Sequence, residues 1–282
     1  MSSVSPRLDH PVKYALFLPY AAMIFCFLIV PMAGLVEVSF RQQSSVRITG
    51  LGFTLANYAR VGDPFYLGIL FDTLRLSMIS AAMAAILGYP VAYVLARSSG
   101  RAKTVLIVAI MIPLMTSVVV KVFGWYIILE PSGVINALSR AVGWGRWNLL
   151  HNEIAVVAGL VEFSLPFMVL SLSASIERIP RNVEEAAGNL GAGPWRVMAR
   201  VVLPMSRAGL LSGYLLCVGV SSSAYVVPAI MGGTRVRMVG QQIYDDVLVG
   251  FDWPSASAMS VVLVLILSLI FYAAMRIGPK AA

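Results

Sequence analysis

Residues 177–204 read ERIPRNVEEAAGNLGAGPWRVMARVVLP and form a polar stretch between two long apolar runs. Pro180 is expected to end the helix that precedes this stretch, because proline cannot continue it. Asn182, followed by Glu185 three residues later, forms a capping-box pattern. Glu184 and Glu185 fall in the first turn of the new helix, where carboxylates interact favourably with the helix dipole. The pattern therefore predicts a helix with Asn182 as its N-cap.

The second half of the stretch predicts a turn and another short helix. Ala186 and Ala187 favour helix and leave a smooth face on which another protein can pack closely. Gly191 permits a sharp chain reversal, and Pro194 suits the first position of a second helix that runs to about Val202. The sequence therefore predicts a helix–turn–helix that lies on one face of a membrane without crossing it.

The composition of the whole chain indicates a membrane protein. Of the 282 residues, 59% are hydrophobic and only 12% are charged, about half of the roughly 25% that is usual in soluble domains. So few charged residues would not cover the surface of a soluble protein of this length. The apolar side chains are therefore expected to face a lipid bilayer.

Six apolar runs are long enough to span a bilayer, which needs about 20 residues of helix. We predict an all-α membrane protein with a cytoplasmic N-terminus (1–13), a transmembrane domain (14–276) and a cytoplasmic C-terminus (277–282). The polar loop 177–207 lies between the fourth and fifth spans. The predicted spans are 14–38, 71–96, 104–124, 154–176, 208–230 and 256–276.

The distribution of positive charge gives the predicted orientation. The net charge is +8, but Lys and Arg occupy short segments between apolar runs, which argues against nucleic acid as a partner. The loop between the second and third spans carries Arg97, Arg101 and Lys103. Because cytoplasmic loops are enriched in Lys and Arg, both termini are predicted to be cytoplasmic.

The polar stretch resembles the EAA loop of permeases in binding-protein-dependent ABC importers. The family pattern is Glu-Ala-Ala, three residues, Gly, nine residues, a branched aliphatic residue, one residue and Leu-Pro. The matching residues are Glu185, Ala186, Ala187, Gly191, Val201, Leu203 and Pro204, with valine where isoleucine is common. The resemblance implies a type I ABC importer permease fold with six transmembrane helices and a cytoplasmic coupling helix between helices 4 and 5.

By the same resemblance, the coupling helix seats in a groove of a separate ATPase. Glu185 would pair with basic residues of that groove, and the two alanines after it would allow close approach. ATP-driven closure of two ATPase subunits would then rock the spans between inward-facing and outward-facing states. The docking residues implied in this way are Glu184, Glu185, Ala186, Ala187, Gly191, Leu203 and Pro204.

Shorter stretches resemble the spermidine/putrescine-type branch, which also includes opine, amino-compound and some ferric-ion or thiamine permeases. They are residues 53–58 (FTLANY), 88–93 (GYPVAY) and 165–168 (LPFM). The resemblance implies a bacterial inner-membrane importer for a polyamine or a similar small cationic or amino compound. The implied partners are an ATPase dimer, a second and paralogous permease chain, and an extracytoplasmic solute-binding protein.

Signals for an enzyme, a metal or a cofactor are missing from the sequence. No G-x-x-x-x-G-K-[ST] phosphate loop occurs, so ATP hydrolysis is assigned to the partner. His10 and His151 are far apart, and Cys26 and Cys217 lack metal-binding spacing. We therefore predict a translocation subunit without catalytic residues, metal or cofactor. The alternative is a secondary transporter or channel, which would need inverted internal repeats that this sequence lacks.

Three residues are candidates for the translocation path: Glu162, Ser222 and Tyr225. An ionisable side chain inside a span is costly, which makes Glu162 a candidate functional residue. Its carboxylate either attracts a cationic solute or makes an interhelical hydrogen bond. Ser222 and Tyr225 belong to a polar patch in the fifth span and either line the path or pack against neighbouring helices.

Other charged residues are assigned structural roles. Asp72 and Arg75 are three residues apart at the outer end of the second span and are expected to pair on one helix face. Asp245, Asp246 and Asp252 are expected to lie in a solvated loop outside the membrane. A contact of these aspartates with the solute-binding protein is the alternative.

Overall fold

A computed structural model describes residues 18–44, 49–50 and 52–277. The predicted N-terminal segment 1–13, all of the predicted C-terminal segment except Ile277, and His10 lie outside the described residues. The helices of the described part are α1 (Leu18–Ser39), α2 (Ala56–Val61), α3 (Pro64–Arg97), α4 (Gly100–Met115), α5 (Val118–Leu129), α6 (Val134–Ala141), α7 (Glu153–Glu177), α8 (Arg181–Asn189), α9 (Pro194–Met205), α10 (Arg207–Ser222), α11 (Val239–Leu248) and α12 (Trp253–Ile277).

The all-α prediction is confirmed. Within the described residues, four single helices (α1, α3, α7 and α12) and the run formed by α5 and α6 are long and apolar enough to cross a membrane. A sixth is obtained when α9 and α10, which are bent by 72° relative to each other, count as one broken span. The described residues form no strand, apart from one isolated bridge between Arg41 and Phe53.

Helices α3, α7 and α10 pack together at the centre of the bundle. Ala84 of α3 is fully buried in the same cluster as Met168 and Leu172 of α7. A Cβ atom on Gly209 of α10 would lie only 2.2 Å from the Cβ atom of Ser175 in α7. Small residues therefore let these helices approach closely, which matters because helices in lipid associate mainly through van der Waals packing.

Helices α1 and α12 lie against each other beside this central group. The apolar stretch of α1 has no buried residue among the described ones. Exposed apolar side chains on a helix that satisfies its own backbone hydrogen bonds are typical of a surface that faces lipid.

The predicted third span, 104–124, is not a single helix. Helices α4 and α5 are separated by Thr116 and Ser117, whose backbone is not helical, with ψ angles of 136° and 130°. Pro113 lies in the last turn of α4, where its missing N–H and its ring favour the end of a helix. The membrane-length run in this region consists of α5 and α6 instead.

The predicted fifth span, 208–230, is also interrupted. Helix α10 ends at Ser222, and the chain resumes a helical course at Val226, which leads into the π-helical turn Pro228–Gly232. Proline suits the first turn of a helical segment, because the N–H groups of that turn have no intrahelical acceptor and a residue without an N–H loses no hydrogen bond there. Helices α3 and α7, in contrast, continue through Pro90 and Pro166.

The polar stretch folds as the predicted helix–turn–helix, but α8 begins before the predicted N-cap. Pro180 is the N-cap and Arg181 the first residue, so Asn182 lies inside the first turn and the capping-box prediction is wrong. The guanidinium of Arg181 donates a hydrogen bond of 2.7 Å to the carbonyl oxygen of Arg97 at the end of α3. This tertiary contact anchors the first turn of α8. Gly191, with φ of 82°, reverses the chain as expected.

At the opposite end of the bundle, α2, α11 and the start of α12 enclose a polar cluster. Arg60 of α2 lies 2.6 Å from the carboxylate of Asp252 and 3.2 Å from the hydroxyl of Ser255. Asp246 of α11 is 8% exposed and accepts a hydrogen bond of 2.9 Å from Gln242. The expectation of a solvated loop is wrong for Asp246 and Asp252, because this segment folds back onto α2 and α12.

The predicted pair of Asp72 and Arg75 is confirmed, with a distance of 3.1 Å. The same guanidinium also lies 2.5 Å from the carboxylate of Glu153 at the start of α7. The pair therefore links α3 to α7 in addition to stabilising one helix face.

Candidate functional site

The most exposed part of the polar stretch is the surface of α8 and the first turns of α9 (residues 181–198), here called the α8–α9 surface. None of the described residues of α8 is buried. Leu190 and Trp195 are 89% and 81% exposed, although both are large and apolar. Exposed apolar side chains with a polar rim are typical of a site that contacts another protein.

Two grooves flank this surface. The first has a volume of about 570 Å³ and lies between α8, α9 and the end of α3, with Tyr93, Glu184, Glu185 and Trp195 among its lining residues. The second has a volume of about 330 Å³, and its lining includes Ala187, Leu190 and Gly191 together with two arginines of α9. The surface thus offers recesses of mixed apolar and charged character.

The structure brings most of the predicted docking residues together, but not all of them. Leu203 and Pro204 lie in the last turn of α9, at the bend towards α10, and line neither groove. The remaining predicted docking residues belong to the α8–α9 surface and are Glu184, Glu185, Ala186, Ala187 and Gly191.

The adjacent carboxylates of Glu184 and Glu185 have different surroundings. Glu184 forms an ion pair with Arg97 of α3 and accepts a hydrogen bond of 2.8 Å from the hydroxyl of Tyr93. Its side chain is only 13% exposed. Glu185 is exposed and has no hydrogen bond or ion pair with the described residues. Both carboxylate oxygens of Glu184 are therefore occupied by residues of α3, so of the two predicted docking carboxylates only Glu185 is available to a partner.

Glu162 pairs with Lys121, a residue for which the sequence predicts no role in the path. The ammonium of Lys121 in α5 lies 3.0 Å from the carboxylate of Glu162 in α7. Their side chains are 13% and 26% exposed. Glu162 also borders a largely apolar cavity of about 570 Å³ between α3, α4, α5 and α7, with Trp125 in its wall. An interhelical hydrogen bond is thus present at this position.

Ser222 and Tyr225 are not brought to the same cavity as Glu162. Ser222 is fully buried, and its hydroxyl has no partner among the described residues. The ring of Tyr225 stacks on Tyr244 of α11, with centroids 4.3 Å apart. Tyr225 lines a separate cavity of about 210 Å³ together with Phe163 of α7. The three predicted path residues therefore occupy different sites in this conformation.

The residues that sequence reasoning missed are Arg97, Lys121 and Tyr244. Lys121 carried a usable signal, because it lies within an apolar run and an ionisable residue there needs a partner. From sequence, Arg97 indicates only the orientation of the chain in the membrane, and Tyr244 lies in a segment that is predicted to be a loop. Within the described residues, no group of three or more His, Cys, Asp or Glu is arranged to hold a metal ion.

Related proteins of known function cover most of this chain. A spermidine/putrescine transport system permease protein, PotB, of Haemophilus influenzae is 28% identical over 92% of this chain and 91% of its own length. PotB of Salmonella typhimurium strain LT2 is 30% identical over 90% of each chain. The inner membrane ABC transporter permease protein YdcU of Escherichia coli K12 is 26% identical over 80% of this chain and 76% of its own.

Solved structures share the fold. A bacterial alginate ABC transporter, in complex with an alginate pentasaccharide-bound periplasmic protein, contains a chain that matches with a TM-score of 0.69 and 19% identity, covering 96% of both chains. The inward-facing MetNI methionine ABC transporter matches with a TM-score of 0.55 and 20% identity, covering 75% of this chain and 93% of its own. The chain therefore has the type I ABC importer permease fold.

A family model adds the decisive match. The model for the inner membrane component of binding-protein-dependent transport systems matches residues 84–279, which include the whole polar stretch. This range covers more than half of the 282 residues. A member of such a family is a membrane component of a transport system and not a catalyst. The chain therefore belongs to the family of binding-protein-dependent transport system inner membrane components, the permeases of ABC importers.

Proposed function

We propose that this chain is a translocation subunit of an ATP-driven importer for a polyamine or a similar small cationic amino compound. The similarity to spermidine/putrescine permeases over nine-tenths of the chain supports this substrate class. The observation that carries the coupling role is the α8–α9 surface, on which exposed Trp195 lines the same groove as the exposed Glu185 and exposed Leu190 lines the neighbouring groove.

The chemistry of the α8–α9 surface fits a protein groove with basic residues. Burial of a large apolar side chain is favourable by about 1.5–3 kcal/mol, so Leu190 and Trp195 provide a reason to associate. Glu185 provides a charge that selects for a basic partner residue. Helix α8 is the coupling helix in this proposal, and the separate ATPase dimer binds there.

The docking of an ATPase assigns the α8 end of the bundle to the cytoplasm. Positive residues at this end, including Arg97, Arg101, Lys103 and Arg178, agree with that side. Both termini are then cytoplasmic, and the solute-binding protein contacts the opposite end. A second, paralogous permease chain completes the path, because α3, α7 and α10 pack tightly against one another at the centre of this chain.

Glu162, Ser222 and Tyr225 are proposed to contribute to the path in a conformation other than the one described. Each lies on or next to a helix of the central group, and rocking of helices would change which cavities they border. A carboxylate in such a path attracts a cationic solute. In the present conformation Lys121 neutralises Glu162, so the carboxylate would have to exchange this partner for the solute.

The test of the docking role is Glu185→Lys in the assembled importer with its ATPase and solute-binding protein. Two measurements are needed: uptake of labelled spermidine and putrescine by cells, and co-purification of the ATPase with the membrane subunits. We expect Glu185→Lys to abolish uptake and release the ATPase, with expression unchanged. Retained uptake together with retained co-purification would refute the docking role.

A matched control is available at the same end of the bundle. Glu177 is the last residue of α7, pairs with Lys103 at 2.8 Å and is 40% exposed. Loss of such an exposed pair changes stability by about 1 kcal/mol or less. Glu177→Lys makes the same charge change outside the α8–α9 surface and is expected to leave ATPase binding intact. Uptake by the chain alone in liposomes without ATP would instead favour the secondary transporter.

A further inference from the structure

We propose that Arg97, Tyr93 and Glu184 form a clamp that transmits movement of α8 to α3, so that ATP hydrolysis is coupled to solute passage. These three residues are positioning residues, since they act on the spans and not on the solute. The inference rests on the proposed docking of an ATPase on α8. It names the residues that connect α8 to the membrane-spanning helix α3.

The clamp engages both carboxylate oxygens of Glu184. Oε1 pairs with Nη2 of Arg97, the last residue of α3, and Oε2 accepts a hydrogen bond of 2.8 Å from Tyr93 one turn earlier. The side chains of Arg97 and Glu184 are only 15% and 13% exposed. A shielded, charge-assisted pair with a second hydrogen bond has one preferred geometry. It therefore fixes the position of α8 relative to the end of α3.

A second contact joins the same two helices. Nη2 of Arg181 donates a hydrogen bond of 2.7 Å to the backbone carbonyl of Arg97. The last carbonyls of a helix have no intrahelical partner, so this donor satisfies one of them. Arg181 and Glu184 are three residues apart and therefore share a face of α8. This face of α8 therefore contacts both the side chain and the backbone carbonyl of Arg97 at the end of α3.

Apolar packing does not replace these contacts. None of the described residues of α8 is buried, so α8 contributes no core residue that would fix it to the bundle. Its attachment to α3 depends on the polar contacts of Arg181 and Glu184. Removal of one partner of a shielded ion pair is more damaging than the net stabilisation by the pair suggests, because the other charge is left without a partner.

Helix α3 is suited to carry a movement from one end of the bundle to the other. It has 34 residues and is therefore about 50 Å long, which exceeds the roughly 30 Å of the bilayer core. It packs against α7 and α10 along its course. Near its other end, the hydroxyl of Thr73 accepts a hydrogen bond of 2.9 Å from the backbone N–H of Val239 in α11. A shift at Arg97 is thus mechanically connected to the α11 end.

The two adjacent glutamates have separate tasks in this arrangement. Glu185 faces the ATPase, whereas Glu184 faces α3. A change at Glu184 should therefore leave the ATPase bound and active but reduce its effect on the spans. A change at Glu185 should release the ATPase. This difference distinguishes failure of the clamp from failure of the docking role.

The experiment uses the complete importer in proteoliposomes with the solute-binding protein. Glu184→Gln and Arg97→Gln are expected to retain the ATPase and its basal hydrolysis. Uptake, and the stimulation of hydrolysis by the loaded binding protein, should fall by about tenfold, a size typical of lost coupling between sites. The charge exchange Arg97→Glu with Glu184→Arg should recover a large part of both. Tyr93→Phe, which removes one hydroxyl, is the milder variant and should reduce uptake by a few fold.

The control is another ion pair at the same end of the bundle. Lys103→Gln and Glu177→Gln break the exposed pair between α4 and α7 and should leave uptake and stimulation unchanged. Normal uptake in Glu184→Gln and in Tyr93→Phe would overturn the clamp, whatever Glu185→Lys does. Loss of the ATPase from Glu184→Gln would also overturn it, because Glu184 would then be a docking residue. A charge exchange that recovers neither readout would contradict the pairing.

Discussion

Lys121 and Glu162 join two helices that the sequence alone did not connect. The ammonium of Lys121 in α5 lies 3.0 Å from the carboxylate of Glu162 in α7, and both side chains are largely shielded. Lys121 also lies 5.8 Å from the centroid of the Phe163 ring, which adds a cation–π contact. The pair neutralises two charges in a region that otherwise consists of apolar side chains.

The first prediction concerns Glu162→Gln. This change leaves the ammonium of Lys121 without a charged partner, so the free energy of unfolding should fall by about 1–3 kcal/mol. The double variant with Lys121→Gln removes both charges and should recover part of the loss. Thermal unfolding of the chain in detergent measures both effects, and a double variant no more stable than Glu162→Gln would contradict the pairing.

The same variants separate the two interpretations of Glu162 in transport. If the carboxylate only holds the bundle together, the double variant should take up polyamine at nearly the rate of the native chain. If the carboxylate contacts the cationic solute, uptake should stay reduced by about tenfold in both variants. Initial rates of labelled spermidine uptake, normalised to the amount of assembled importer, distinguish these outcomes.

Local patterns predicted the helix–turn–helix, because its start, its turn at Gly191 and its second helix depend on residues near in sequence. The clamp depends on contacts between Arg97 and Glu184, which are 87 residues apart. A local pattern treats Glu184 and Glu185 as equivalent carboxylates of one first turn. Only the packing of α8 against α3 shows that one of them faces the chain.

The positions of the charged residues at the α11 end were also beyond local reasoning. Asp252 follows an apparent loop, and its partner Arg60 is 192 residues away. The run of hydrophobic residues that predicts span 104–124 does not indicate the non-helical residues Thr116 and Ser117. Pro113 is the one residue of the run that favours a helix end. Hydropathy therefore predicted the class of fold, whereas the six predicted spans correspond to five helical runs of membrane length, or to six when the bent pair α9 and α10 is counted as one. Tertiary contacts determine where the helices break.

The second prediction tests the close packing of α7 and α10. A Cβ atom on Gly209 would lie 2.2 Å from Cβ of Ser175 and 3.2 Å from the carbonyl oxygen of Ser171. Gly209→Ala must push the helices apart and should lower the free energy of unfolding by about 1–3 kcal/mol. Ser175→Gly in the same chain should restore the space and part of the stability.

The control for this glycine is Gly68 of α3, where no described atom lies within 4 Å of an added Cβ. Gly68→Ala should leave stability unchanged or raise it by about 0.5–1 kcal/mol, because alanine favours helix over glycine. Equal thermal unfolding temperatures for Gly209→Ala and Gly68→Ala would show that the close approach is absent in the folded chain.

The third prediction concerns pH and Asp246. Burial raises the pKa of this carboxyl above its ordinary value, although the hydrogen bond from Gln242 and the charge of Arg60 partly oppose the shift. The folded chain then holds the proton more tightly than the unfolded chain. The free energy of unfolding should therefore fall as the pH rises from about 3.9, the ordinary value, through the higher pKa of the folded state.

Asp246→Asn removes this titration and should flatten the decline of stability over that pH range. The measurement is the thermal unfolding temperature in detergent between acid and neutral pH. Asp245→Asn, which removes a carboxylate from the neighbouring and less buried position, is the control. It should keep most of the decline, because the charge of Asp245 is the smallest of the causes that raise the pKa of Asp246. An unchanged slope in Asp246→Asn would show that another group causes the pH dependence.

The last prediction tests the apolar part of the α8–α9 surface. Leu190 and Trp195 are 89% and 81% exposed, so serine at either position should leave the stability of the isolated chain unchanged. If both side chains enter a groove of the ATPase, each substitution should weaken ATPase binding by about tenfold or more, since buried apolar anchors dominate interface energies.

The control is Trp144→Ser. Trp144 is 71% exposed but lies outside the α8–α9 surface, so this change should not alter ATPase binding. Titration of the purified ATPase against the permease in nanodiscs measures the dissociation constants, and equal values for Trp195→Ser and Trp144→Ser would exclude Trp195 from the interface.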